Sequence, residues 1–246
     1  MKRSNWLIIL ALALIMLSVA LYLIHYAIFT DPHHIFIYMV GDIAFVPIEV
    51  LLVTLIIHQL LSGREKRARL QKLNMVIGVF FSELGTSLLT RFSDYDPKLD
   101  EVRKKLIVAS DWSQEEFSTV RKLLKNYDCG IEVQKADLED VRNLLMDKRD
   151  FSLRLLENPS LLEHESFTRL LQAVFHLTEE LESREDLKQL PDSDHKHLAG
   201  DMKRAYALLI REWLDYMKYT KDNYPYLFSL AMRMNPFDQN ASVVVR

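Results

Sequence analysis

The stretch from Trp6 to Phe29 reads WLIILALALIMLSVALYLIHYAIF, and the stretch from Ile35 to Leu61 reads IFIYMVGDIAFVPIEVLLVTLIIHQLL. A helix of about 20 apolar residues crosses the hydrocarbon core of a bilayer, which is about 30 Å thick. Both stretches are longer than this, and neither contains Lys or Arg. The sequence therefore predicts two transmembrane helices, joined as a tight hairpin because only residues 30–34 separate them.

Lys2 and Arg3 before the first stretch also resemble the charged start of a signal peptide. The apolar core of a signal peptide is usually about 7–15 residues long and ends at a small-residue cleavage site. The stretch from Trp6 is longer and leads directly into a second apolar run. This pattern favours a membrane helix over a cleaved signal.

Charged residues are unevenly distributed along the chain. It has 31 Lys and Arg residues, of which only Lys2 and Arg3 precede residue 62. The remainder carries charges of both signs, and the formal net charge of the whole chain is −3. Nucleic-acid binding usually requires a clear basic excess, so we expect no nucleic-acid partner. The single cysteine, Cys129, excludes an intrachain disulfide and fits a reducing compartment.

The sequence after residue 62 favours helices throughout. Apolar residues recur at helical spacing, and the pairs Ser113–Glu116 and Ser160–Glu163 have the spacing of capping boxes. The predicted helices cover 98–110, 114–126, 137–157, 161–185, 194–222 and 225–234. The expected fold class is therefore all-α, with a two-helix transmembrane hairpin followed by a cytoplasmic helical bundle.

We divide the chain into four predicted segments. They are the transmembrane hairpin 1–62 (spans about 6–29 and 35–61), a basic juxtamembrane and amphipathic helix 63–92, a cytoplasmic helical domain 93–234 and a flexible tail 235–246. Residues 73–89 are apolar, but Ser82, Glu83 and Gly85 interrupt them. This pattern predicts a membrane-surface helix or part of the soluble core rather than a third span.

Basic residues flank the hairpin on both sides, and its turn has none. Lys and Arg accumulate in short cytoplasmic segments beside membrane helices. We therefore expect a multi-pass protein of the cell membrane (plasma or inner) with both termini in the cytoplasm. The basic cluster after the second span is predicted to contact lipid headgroups. It consists of Arg64, Lys66, Arg67, Arg69 and Lys72.

Asp42 and Glu49 stand inside the second apolar stretch, seven residues apart and near one helical face. A charge at the centre of a membrane costs about 2.5–3.5 kcal/mol on insertion scales, so such residues are functional candidates. Pro47 between them permits a kink.

Residues of the first span are expected to lie beside these acids. In a tight hairpin, Asp42 is expected at the depth of Tyr22, and Ser18 is the hydroxyl nearest to Glu49. The supporting residues are predicted to be Tyr38, Tyr22, His25, Ser18 and Pro47.

The soluble part offers little that indicates catalysis. It contains no glycine-rich phosphate loop, nucleophile elbow or kinase signature. Acids and histidines cluster at Asp192, Asp194, His195 and His197, but these residues also suit a loop and a helix start. His176 lies within an apolar stripe, which favours a packing role. We expect no enzymatic activity, no cofactor and no metal.

Two functional hypotheses remain. The first is a homo-oligomer in which Asp42 and Glu49 conduct or sense cations or protons, because rings of acids attract cations. Two helices per chain cannot enclose a pore, so this hypothesis requires several subunits. The alternative is a membrane-anchored helical scaffold or sensor that recruits a cytoplasmic protein partner. In that case the acids are structural or are tuned to a partner helix, since polar groups join helices in membranes.

Overall fold

The computed structural model describes residues 2–244, and the side chains of residues 2–8, 64–70, 162 and 163 are outside this description. Every regular element in the described chain is a helix, as the sequence predicts. The chain divides into two units, Met1–Lys66 and Arg67–Arg246.

The first unit contains α1 (Lys2–Phe29) and the greater part of α2 (Pro32–Phe80). The chain reverses at Thr30, whose φ of 48° lies in the left-handed region. Asp31 caps the start of α2, because its Oδ1 accepts the backbone N–H groups of His33 (2.9 Å) and His34 (3.3 Å). Pro32 at the first helical position needs no N–H partner.

Three helical segments are long and apolar enough to cross a membrane: Ile9–Phe29, Pro32–Gly63 and Gln71–Asp94. The side chains of the first two are almost all exposed, for example Met16 at 67% and Leu60 at 64%. So large an apolar surface is unfavourable in water and is typical of contact with lipid. In the third segment, by contrast, 44% of the most apolar window is buried within the protein.

α2 continues past the predicted end of the hairpin at residue 62, and it also runs through Pro47. Residues 64–72 are mostly Arg, Lys, Glu, Ala, Leu and Gln, which favour helix, so nothing in them stops the helix. The predicted juxtamembrane helix is therefore not a separate element.

The second unit holds the end of α2 and seven further α-helices. They are α3 (Thr86–Asp94), α4 (Gln114–Asn126), α5 (Leu138–Asp147), α6 (Arg149–Leu156), α7 (Glu165–Glu182), α8 (Asp192–Asn223) and α9 (Pro225–Arg233). A π-helical turn, Phe81–Gly85, links α2 to α3. α7 and α8 form the most extensively packed pair, and the other helices surround them.

Residues 73–92 belong to the core of this unit. Leu73, Ile77, Phe80 and Leu84 are at most 3% exposed. The Phe80 ring packs edge-on against Phe167 of α7, with 5.3 Å between ring centroids. Of the two alternatives from the sequence, the burial of these residues supports a place in the core of the second unit over a helix on the membrane surface.

Two predicted helices differ from the structure. Residues 98–110 form two 3₁₀ turns, Leu99–Glu101 and Arg103–Lys105, instead of an α-helix. The prediction was wrong because the buried residues Leu99, Val102 and Leu106 have a spacing that 3₁₀ turns also satisfy. Residues 137–157 form α5 and α6 with a break at Lys148, whose amino group pairs with Glu83 at 3.4 Å.

The two predicted capping boxes have different outcomes. The box at Ser113 and Glu116 is confirmed, with both reciprocal hydrogen bonds at the start of α4. The box at Ser160 is wrong, because residues Pro159–Glu163 form a 3₁₀ turn and α7 is capped by His164. His164 Nδ1 accepts the N–H of Phe167 at 3.3 Å. The side chain of Glu163 lies outside the described residues.

The predicted flexible tail, 235–246, starts with packed residues. Asn235 is 2% exposed and Phe237 is fully buried. Asn235 Nδ2 donates to the carbonyl of Leu106 at 3.0 Å. The prediction was wrong for these residues because the loop after α3 provides the surface that covers them.

Candidate functional site

The hairpin contains an open cavity of about 470 Å³ between α1 and α2, and most of the side chains that line it are exposed on the single chain. Five of the seven predicted intramembrane site residues line it together. They are Ser18, Tyr22 and His25 of α1 and Tyr38 and Asp42 of α2, with Leu14, Leu17, Leu21 and Ile35 as apolar neighbours. Helical spacing determines this arrangement, because Ser18, Tyr22 and His25 follow one another by one turn on the same face.

A stack of aromatic rings lies at the end of this cavity nearest the turn. The rings of His25 and His34 are parallel to within 6°, with centroids 6.1 Å apart. His34 also contacts Tyr38 edge-on at 4.7 Å. His25 Nδ1 is buried and has no hydrogen-bond partner among the described residues. His34 was not among the predicted site residues, although it lies nearly as far after the turn as His25 lies before it.

The chemistry of the cavity is that of a small polar site in apolar surroundings. One carboxylate, two phenols, one hydroxyl and one imidazole converge there. Carboxylate and hydroxyl oxygens can accept a cation or a hydrogen bond, and an imidazole nitrogen can donate or accept a hydrogen bond.

Glu49 and Pro47 lie elsewhere on α2. Glu49 is exposed on the single chain and is not among the residues that line the cavity. Ser18 lines the cavity together with Asp42. Of the predicted headgroup contacts, Lys72 is exposed, and the side chains of the other four lie outside the described residues.

The acid and histidine cluster at the start of α8 does not form one site. Arg184 holds Asp194 with two hydrogen bonds, at 2.6 and 2.7 Å. The guanidinium keeps the pKa of Asp194 below its usual value. His195 instead lines a separate surface pocket with Leu187. Asp192 and Asp194 lie in the first turn of α8, as the helix-start interpretation expects, but neither caps the helix through a side-chain hydrogen bond.

Cys129 is buried at 1% exposure in the second unit. Burial disfavours its thiolate and raises the pKa of the thiol to about 11. A nucleophilic cysteine requires the opposite environment, one that stabilises the thiolate.

We expect Cys129 in the native protein to react with iodoacetamide at neutral pH at least about 100-fold more slowly than an ordinary exposed cysteine, whose pKa is about 8.5. Mass spectrometry of the alkylated protein measures this rate without ambiguity, because the chain has one cysteine. The same protein in guanidinium chloride is the control and should react rapidly. Equal rates for the native and unfolded chains would show that the thiol is accessible.

Comparison with known families gives two matches along the chain. Residues 2–61 match the family described as "MJ1433, N-terminal helical domain", and residues 69–233 match "Uncharacterized protein MJ1433, C-terminal helical domain". The curated protein "Uncharacterized protein MJ1433" from Methanocaldococcus jannaschii is 49% identical over 245 residues, which cover 100% of this chain and 98% of that protein. No solved structure matches the chain.

Both units of the chain are therefore shared with one relative over nearly its whole length. The chain belongs to the MJ1433 family of helical proteins and contains both its N-terminal and its C-terminal helical domain.

Proposed function

We propose that this protein is an integral membrane protein that conducts or senses cations or protons through Asp42. The observation that carries the proposal is the cavity of about 470 Å³ that Asp42 shares with Tyr22, His25 and Tyr38. A carboxylate within an apolar span costs about 2.5–3.5 kcal/mol, so a purely anchoring helix gains nothing from it. The hydroxyl and imidazole groups around Asp42 can stabilise a bound cation or relay a proton.

Glu49 supports a homo-oligomeric assembly. On the single chain its side chain is exposed in the middle of the second span. Lipid would leave this carboxylate unsolvated, whereas a neighbouring subunit or a shared aqueous axis would solvate it. Subunits arranged around that axis turn each Glu49 into one position of an acidic ring, which attracts cations.

The proposed orientation places both termini in the cytoplasm of a cell that carries the protein in its plasma or inner membrane. The basic residues on both flanks of the hairpin support this topology, as the turn Thr30–His34 has none. In this arrangement the second unit is the cytoplasmic domain. We propose no enzymatic role and no nucleic-acid partner.

Flux of cations and protons into liposomes that carry the purified protein tests the proposal. We expect Asp42→Asn to reduce the protein-dependent flux at least about tenfold, because it removes a charge worth several kcal/mol to a cation about 4 Å away. Glu49→Gln should also reduce the flux. Tyr26→Phe is the matched control, since Tyr26 is 51% exposed and does not line the cavity, and its flux should equal that of the wild type.

Either of two results would contradict an oligomeric ion pathway. One is a wild-type flux no greater than that of empty liposomes, with and without an applied voltage. The other is a monomeric protein in mild detergent, because two helices cannot surround a pore. A flux that Asp42→Asn and Glu49→Gln leave unchanged would place conduction away from these acids.

A second candidate function is a membrane-anchored scaffold that binds a cytoplasmic protein. An apolar surface on the second unit favours it, formed by exposed side chains of α2 and α9. Met75 is 58%, Val79 50%, Tyr226 93% and Leu227 53% exposed. Exposed apolar patches commonly mark protein contacts. A monomer without flux would favour this function, whereas an oligomer with flux would favour the acidic pathway.

A further inference from the structure

A cluster of two histidines and two carboxylates lies where α7 packs on α8. His176 and Glu180 are four residues apart on α7, and His197 and Asp201 are four residues apart on α8. Residues four apart lie on the same face of a helix, one turn from each other. Each helix therefore presents one imidazole and one carboxylate to the same point.

The four side chains are close but do not form tight ion pairs. His176 Nε2 lies 3.7 Å from Glu180 Oε1 and 3.6 Å from Asp201 Oδ2. His197 Nε2 lies 3.4 Å from Glu180 Oε2 and 3.4 Å from Asp201 Oδ2. Charge-assisted hydrogen bonds between such groups are about 2.7–2.9 Å long. A direct imidazolium–carboxylate pairing does not explain these longer separations.

The separations fit a metal ion that lies between the groups. In tetrahedral zinc sites each nitrogen or oxygen ligand is about 2.0–2.2 Å from the ion, so neighbouring ligand atoms are roughly 3.3–3.6 Å apart. One ligand atom each from His176, Glu180 and Asp201 lies within 4.8 Å of the others. His197 Nε2 lies 3.4 Å from Glu180 Oε2 and 3.4 Å from Asp201 Oδ2, within the same range.

Asp201 provides an independent indication of a ligand. Its side chain is 4% exposed, and Oδ2 has no hydrogen-bond partner among the described residues. An unsatisfied buried carboxylate oxygen is costly, and binding to a cation removes that cost. Oδ2 faces both imidazole nitrogens, so the unsatisfied atom is directed at the centre of the cluster.

Arginines orient both carboxylates from outside the cluster. Arg204 lies 3.2 Å from Asp201 Oδ1, which leaves Oδ2 free for the ion. Arg184 donates to Glu180 Oε2 at 2.8 Å, which leaves Oε1 directed at His176. Groups behind the ligands commonly position the ligands of metal sites in this way.

We infer that His176, Glu180, His197 and Asp201 form a divalent-metal site that takes Zn²⁺ and joins α7 to α8. Two imidazoles with two carboxylates suit Zn²⁺, and four protein ligands are typical of a structural site. The half-exposed His176 (45%) and His197 (52%) leave the site open to ions from solvent. The inference departs from the expectation of no metal and does not depend on the proposed ion pathway.

The test uses the full-length protein in mild detergent, purified without a histidine tag and stripped with a chelator. Zn²⁺ is added, and its stoichiometry is measured by elemental analysis and its Kd by competition with a chromophoric chelator. Co²⁺ is the second probe, because its visible absorption reports tetrahedral coordination. We expect one ion per chain and a tetrahedral Co²⁺ spectrum.

Single substitutions locate the site. His176→Ala, His197→Ala and Asp201→Asn should each raise the Kd for Zn²⁺ at least about 100-fold, because even positioning residues around a metal contribute about 10–100-fold. His195→Ala is the matched control, since it lies on the same helix outside the cluster, and its Kd should stay within about threefold of wild type. Circular dichroism establishes that each variant is folded.

Three outcomes would overturn the inference. They are no binding of Zn²⁺ or Co²⁺ by the wild type, unchanged binding in folded variants of the cluster, and loss of binding in a His33→Ala/His34→Ala variant instead. The last result would place the ion at the membrane turn. Because none of these measurements depends on flux, failure of the metal site and failure of the ion pathway are distinguishable.

Discussion

Phe237→Ala is expected to lower the free energy of unfolding of the second unit by about 3–5 kcal/mol. The Phe237 ring is fully buried and packs edge-on against Trp213, with 5.0 Å between centroids. Removing it leaves a cavity beside Trp213, which is itself 1% exposed. A residue in a free C-terminal tail would have almost no effect.

The cost is expected to be large because the surrounding backbone is fixed and cannot collapse into the cavity. Asn235 Oδ1 accepts the N–H of Phe237 at 2.9 Å, while its Nδ2 donates to Leu106 at 3.0 Å. These bonds hold the segment after α9 against the loop after α3. The cost of a large-to-small substitution rises with the volume of the cavity that remains.

Urea unfolding of the full-length protein in mild detergent, followed by far-UV circular dichroism, measures this change. Val243→Ala is the matched control, because Val243 lies six residues further along and is 57% exposed. It should change the free energy of unfolding by less than about 0.5 kcal/mol. Similar small effects of both substitutions would mean that residues 235–244 are a tail, as the sequence suggests.

Asp96→Ala is expected to destabilise the same unit by about 3–5 kcal/mol, because it leaves three donors without an acceptor. Asp96 is 7% exposed. Its Oδ1 accepts the backbone N–H groups of Lys98 and Gly130, each at 3.0 Å, and its Oδ2 accepts the hydroxyl of Tyr127 at 2.5 Å. Each buried donor that loses its partner costs about 1–3 kcal/mol.

Asp96→Asn separates the hydrogen bonds from the loss of volume. One carbonyl oxygen remains to accept the two N–H groups, and only the bond from Tyr127 is disturbed, so we expect a loss of about 1–2 kcal/mol. Asp100→Ala is the matched control, because the Asp100 side chain is 91% exposed and forms only a surface pair with Arg103. The same urea unfolding measures all three variants. Equal effects of Asp96→Ala and Asp100→Ala would contradict the role of Asp96.

The sequence alone predicts the two long apolar helices and several of the residues that line the cavity between them. Two long runs without Lys or Arg predict the two long apolar helices, because the side chains of a helix that faces lipid must be apolar along its whole length. Tyr22 and Asp42 were expected at one depth, and both line the cavity. This was predictable because a short turn fixes the register of two helices and helical spacing fixes the faces. Ser113 and Glu116 were equally predictable, since a cap involves only neighbouring residues.

Only the tertiary structure decided the features that join distant parts of the chain. Phe237 is buried against Trp213, and Asp96 accepts a hydrogen bond from the hydroxyl of Tyr127. In each pair the two residues are far apart in the sequence. The pairs His176–Glu180 and His197–Asp201 each have an ordinary helical spacing, and the packing of α7 on α8 brings the two pairs together. Local patterns determine helices, turns and caps because the interactions responsible span one or two turns. Which helical faces pack together depends on contacts across the whole domain, and no short stretch of sequence determines those contacts.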